Sequence, residues 1–113
     1  MAKLKPAFRK NGTTTAGNSS QVTDGAAAVA LVRRSVAEKL GHPILARFED
    51  YAVEGVPPEI MGIGPAVAIP AVLKKVGKSV SDIDIWEVNE AFASQATYSI
   101  EKLGISKDKL NPK

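Results

Sequence analysis

Asn89 and Glu90 stand side by side at a change of pattern, an amide beside a carboxylate. Before them, Ile83-Asp84-Ile85-Trp86-Glu87-Val88 places apolar residues at 83, 85, 86 and 88, most of them β-branched or aromatic, as in a buried strand. After them, Ala91, Phe92, Ala96, Ser99, Ile100 and Leu103 are spaced as the inner face of a helix. In a parallel α/β sheet the carboxyl ends of strands are where ligands bind, and polar groups there are held by rigid elements on both sides. Two readings stand together at this point: a ligand-facing pair, or an Asn that caps the next helix with a Glu favoured by the helix dipole. A second candidate is Ala16-Gly17-Asn18-Ser19-Ser20, small residues rich in hydroxyls and an amide. Such a run lets a ligand approach the backbone closely, with N–H groups and hydroxyls as donors; the plain alternative is a polar loop capping the following helix. His42, the single histidine, sits in a helix-to-strand turn and reads as a solvated turn residue. The chain contains no cysteine, so no disulfide, thiolate metal site or Cys nucleophile can come from these residues.

The elements that would position these groups follow in order. Residues 1–10 are a basic, Pro-containing lead-in without periodicity, and Asn11-Gly12 signals a turn. Thr23 and Asp24 read as helix-start residues before an apolar run at 26–32, implying a helix buried all round. From Arg33 that helix becomes amphipathic, and Gly41 ends it. Residues 44–53 read as a strand. A Pro/Gly loop over 55–65 leads into a helix starting at Pro65, interrupted by Pro70 and stopped by Gly77. Residues 79–82 read as a short capped turn before the strand at 83–88. The order is helix, strand, helix, strand, helix: an α/β arrangement whose strands pair in parallel through a right-handed crossover. Two strands are too few for a sheet buried on both faces, so the pattern describes an incomplete domain.

Composition narrows the function. With 113 residues, 44% hydrophobic and 24% charged, the chain has the make-up of a single globular unit. The net charge of +3 comes mainly from lysines and arginines near the two ends, and aromatics are not interleaved with them, so nucleic-acid binding is not expected. The apolar run at 26–32 is too short to span a bilayer, and the basic start lacks the apolar core of a secretory signal.

Three motifs now carry a resemblance. Thr15-Ala16-Gly17-Asn18-Ser19-Ser20-Gln21-Val22-Thr23-Asp24-Gly25-Ala26, Val56-Pro57-Pro58-Glu59-Ile60-Met61-Gly62-Ile63-Gly64-Pro65 and Asn89-Glu90-Ala91-Phe92-Ala93 occur in order and at family-like spacing. The chain resembles the thiolases, most closely those of peroxisomes, from Lys5 to Pro112. That likeness implies a partial thiolase layered fold over 1–113, from the start of the carboxy-terminal domain, with residues 1–10 as lead-in and 11–112 as core segment. It implies cleavage of a 3-ketoacyl-CoA by CoA, or the reverse condensation, through a thioester on a Cys nucleophile. CoA and acyl-CoA are substrates and no cofactor is expected. By the same likeness Asn89 holds a water that forms one oxyanion hole together with a His of a later Gly-His-Pro motif, and Glu90 is its structural companion. Ala16, Gly17, Ser19 and Ser20 lie along the pantetheine arm, while Met61 and Phe92 line the acyl pocket. A homo-oligomer is implied for the full-length enzyme, and the peroxisome as its location. Both family cysteines are missing from these residues, and the Gly-His-Pro segment would begin just past Lys113. Gly41-His42-Pro43 mimics that motif in the wrong place. The expectation is a chain inactive by itself; the alternative is an interaction module that docks on an intact thiolase subunit.

Overall fold

Glycines stop all three helices of the computed structural model, which describes residues 3–112. Helix α1 (Arg34–Leu40) ends on Gly41 at φ 66°, where Gly41 N–H donates to Glu38 O and His42 N–H to Ala37 O. Helix α3 (Ala93–Leu103) ends in the same way on Gly104 at φ 67°, with Ile105 N–H donating to Ile100 O. Both are left-handed caps that satisfy the last carbonyls, a conformation glycine adopts without a Cβ clash. Helix α2 (Gly64–Lys75) carries Pro65 in its first turn and Pro70 inside, and Gly77 at φ 65° turns the chain away. The capped turn expected at 79–82 is present as a short 3-10 helix, Val80–Asp82.

The first helix departs from expectation. It starts at Arg34 rather than near Gly25, and residues 20–33 carry neither helix nor strand. Val29 is 81% and Leu31 74% exposed, so the apolar run is not buried all round. A short apolar run bounded by turn residues fits a strand sandwiched inside a sheet as well as a buried helix, and hydropathy alone does not separate the two.

The strands also differ. Residues 44–53 form no ladder; their end is tethered to α2 by Lys75 Nζ, which donates to Tyr51 O at 2.8 Å and lies 3.7 Å from Asp50 Oδ1. The segment at 83–88 makes a single parallel bridge, Trp86 with Leu110, through Trp86 N–H to Lys109 O and Asn111 N–H to Trp86 O, both 2.7 Å. Parallel pairing therefore occurs with the tail and not between the two expected strands. A ladder needs a neighbour for each strand edge, and among the described residues those neighbours are lacking. The radius of gyration is 18.0 Å, against about 13 Å for a compact domain of this size.

The largest helix contact lies where α3 meets α2 and the 3-10 turn Pro58–Ile63. Leu73, Ala96 and Ser99 are buried on these helices, and Val88, Ile105 just after α3, and Ala37 in α1 are buried as well. Gly62 allows the close approach: a Cβ on it would sit 3.2 Å from Gln95 Cβ. Small residues at the contact bring the backbones together, and they fix how the Met61 turn lies against the start of α3.

Candidate functional site

Val88 is the last buried residue of its segment, and Asn89 and Glu90 emerge from it exposed. The N-cap of α3 is Phe92 (φ −140°, ψ 139°), three residues further on, so Asn89 does not cap that helix. Instead Gln95 Oε1 accepts from Phe92 N–H at 3.4 Å. The amide is thus left free of a capping role, and both residues line a cleft of about 620 Å³ together with Glu87, Val88 and Asn111.

Asn111 holds that corner together. Its Oδ1 accepts from Val88 N–H at 2.7 Å, and its Nδ2 donates to Val88 O and to Glu90 Oε1, both at 2.9 Å. The side-chain amide behaves as an extra peptide unit, continuing the bridge from Trp86 to the strand end. Its backbone sits at φ 43°, a left-handed value that Asn tolerates better than most residues. Sequence reasoning missed Asn111. The one available signal was an Asn in a short turn before a proline, which does not name a partner 23 residues away.

The small-residue loop is fastened just after this corner, although none of residues 16–20 lines either cleft. Ala16–Asn18 forms a 3-10 turn in which Thr15 Oγ1 accepts from Gly17 N–H at 3.2 Å and Asn18 Oδ1 from Thr15 N–H at 2.8 Å. Ser19 Oγ donates to Thr15 O at 2.7 Å. Beyond the turn, Ser19 forms an antiparallel bridge with Phe92, and Ser20 N–H donates to Ala91 O at 2.8 Å. The loop is therefore fastened to the residues directly after Glu90, and with the next helix beginning only at Arg34 it caps none. Ala16, Gly17 and Ser20 remain exposed.

Met61 and Phe92 share a second cleft of about 430 Å³, with Phe8, Thr14, Gln95 and Tyr98 also on its wall. Met61 is 69% exposed at its rim. Phe8 meets Phe92 edge to face, ring centroids 6.1 Å apart at 78°. The lead-in, without periodicity as a sequence, is turned back on itself by Ala7 N–H to Thr14 O at 2.9 Å and Gly12 N–H to Arg9 O at 2.9 Å, and its contact with the site is the Phe8–Phe92 pair. Phe8, Gln95 and Tyr98 were also missed, although Ser94 and Tyr98 share a helix face by their spacing. His42 stays in its turn after α1, exposed and on the wall of neither cleft.

Away from the clefts, Asp82 has its carboxyl pulled below the usual range, chiefly by the Ser79 hydroxyl and then by Ser79 N–H. Among the described residues no group of His, Asp and Glu is placed to hold a metal ion, and no helix is long and apolar enough to cross a membrane.

The chain belongs to the thiolase family. The family profile for "Thiolase, C-terminal domain" matches residues 40–113, and that for "Thiolase, N-terminal domain" matches residues 1–35. It is 70% identical over 112 residues to "3-ketoacyl-CoA thiolase B, peroxisomal" of Rattus norvegicus, covering 99% of the chain and 26% of that protein. With the Yarrowia lipolytica peroxisomal 3-ketoacyl-CoA thiolase the identity is 63% over 113 residues, covering 100% and 27%. Among solved structures, the dimeric peroxisomal thiolase of Saccharomyces cerevisiae superposes with a TM-score of 0.94 at 61% identity, over 98% of this chain and 28% of that one. Human mitochondrial 3-ketoacyl-CoA thiolase in complex with CoA gives 0.92 at 47% identity, over 97% and 28%. The chain spans about a quarter of the length of the curated relatives it matches. The α/β expectation stands: these neighbours have the layered thiolase fold, and this chain follows part of it.

Proposed function

We propose that these residues form part of a peroxisomal 3-ketoacyl-CoA thiolase, an acyltransferase of fatty acid β-oxidation. The observation that supports this best is the junction at 89–92. There an exposed amide, a loop of small residues and an apolar cleft meet through the Ser20–Ala91 hydrogen bond and the Ser19–Phe92 bridge. In this reading Asn89 helps to steady the oxygen that turns negative as the acyl group transfers, and Glu90 supports its placement. Ala16, Gly17, Ser19 and Ser20 run beside the pantetheine arm of CoA, and Met61 and Phe92 border the acyl chain. CoA and acyl-CoA enter as substrates, and the scheme invokes no cofactor. Without a cysteine these residues cannot form the thioester, so the chain by itself is inactive. The full-length assembly is a homo-oligomer, in keeping with the dimeric yeast relative.

Acetoacetyl-CoA thiolysis tests both halves. The 113-residue chain should show no turnover, and real turnover would sink the claim of inactivity. A chimaera with this chain in place of the matching segment of the yeast dimeric thiolase should be active. In it Asn89→Ala should lower kcat by roughly 10²–10³, the usual cost of one oxyanion donor. An active chimaera indifferent to Asn89 would remove that residue from the mechanism.

A second reading rests on the exposed apolar stretch, where Val29, Leu31, Leu45 and Phe48 face solvent. Here the chain is an interaction module that docks on an intact thiolase subunit. Size exclusion and pull-down with a folded thiolase discriminate; no association would dispose of it.

A further inference from the structure

We infer that Asn111 is a positioning residue for the Asn89–Glu90 pair, an assignment that rests on the function proposed above. Three features of the geometry lead to it. The Asn111 side chain is bonded on both sides of Asn89: at Val88 through its N–H and its carbonyl, and at Glu90 through Oε1. It lines the cleft into which Asn89 and Glu90 open. And among described residues it is the one non-glycine at positive φ, so an unfavourable backbone conformation is retained where its side chain does this work. One amide therefore fixes the backbone that carries Asn89 and the direction of the Glu90 carboxylate. The fastening comes from the tail after α3, through the Trp86–Leu110 bridge, and so ties site geometry to the docking of residues 105–112. Misplacing a group at the reacting centre by about 1 Å can slow catalysis by roughly 10²-fold.

Three substitutions separate this role from simple scaffolding. Asn111→Gly keeps the left-handed backbone accessible and deletes only the side chain. Asn111→Asp keeps the acceptor for Val88 N–H, loses both donors and sets a second carboxylate against Glu90. Glu90→Gln removes that repulsion. In the chimaera, Asn111→Asp should lower kcat about tenfold or more while KM moves by less than about twofold. The same substitution made in a Glu90→Gln background should cost about tenfold less than it does beside Glu90, since the two effects are coupled. Asn111→Gly should lower kcat without that dependence on charge. Equal effects of Asn111→Asp in both backgrounds would overturn the inference, leaving Asn111 as scaffold.

A readout independent of activity uses the 113-residue chain itself. The side-chain N–H₂ of Asn111 should exchange with solvent more slowly than those of Asn11 and Asn89, and its resonances should move in Glu90→Ala. Exchange as fast as at Asn11 would refute the clamp. A chimaera without turnover would instead overturn the proposed function and with it the catalytic sense of this inference, while the exchange measurement would still decide whether the clamp exists.

Discussion

Removing the Phe8 ring should loosen the lead-in and, through Phe92, the wall of the apolar cleft. Phe8 is 74% exposed, so about a quarter of a side chain that can bury roughly 200 Å² is covered, some 50 Å². At about 25 cal/mol per Å² that is worth ~1.2 kcal/mol. The edge-to-face contact with Phe92 adds about 0.5–1.5 kcal/mol beyond area. Phe8→Ala should therefore cost about 1.7–2.7 kcal/mol, and Phe92→Ala, which also empties the cleft wall, about 2–4 kcal/mol. The decisive quantity is the coupling in the double-mutant cycle, expected at about 0.5–1 kcal/mol. Equilibrium urea unfolding followed by helical circular dichroism reads it, since ~1 kcal/mol moves the midpoint by about 0.3–1 M. Additive effects, with coupling below about 0.2 kcal/mol, would refute the docking of the lead-in on Phe92.

Leu73→Ala, in the α2–α3 contact, should destabilise the helical pair by about 2–4 kcal/mol, while Val67→Ala on the exposed side of α2 should cost less than ~1 kcal/mol; equal shifts in urea midpoint would contradict the core described above. Asp82 should titrate below 3.8 by NMR, and Ser79→Ala should return it toward that value. Because the folded-state pKa is depressed, the Ser79–Asp82 turn contributes stability above the unfolded pKa and loses it as pH falls through the folded one, so melting of the turn already between neutral and about pH 5, above both values, would contradict this account. The uncovered apolar residues between 29 and 53 should drive self-association, seen as dye binding and concentration-dependent sedimentation; a monodisperse, cooperatively unfolding monomer would count against that.

The comparison of Asn89 with residues 26–32 shows why some features were legible and others were not. Asn89 and Glu90 were found because a period-2 segment gives way to a helical one at that point, and the structure leaves both in a cleft. The apolar run looked like a buried helix because hydropathy reports a tendency toward burial and not which backbone conformation would be buried. The bridge from Trp86 to Leu110 escaped notice because the tail is too short and polar to signal a strand, and its pairing depends on the chain's return after α3.

By itself the sequence determined where helices stop, at Gly41 and Gly104, since a left-handed cap is decided by torsions and hydrogen bonds within one or two turns. It also determined the family, through three ordered motifs. Only the tertiary structure decided that Asn111 reaches Val88 and Glu90, that Phe8 lies against Phe92, and that Ser19 and Ser20 meet the residues after Glu90. Those contacts join segments far apart along the chain, and their partners are chosen by the path of the backbone, on which local propensity is silent.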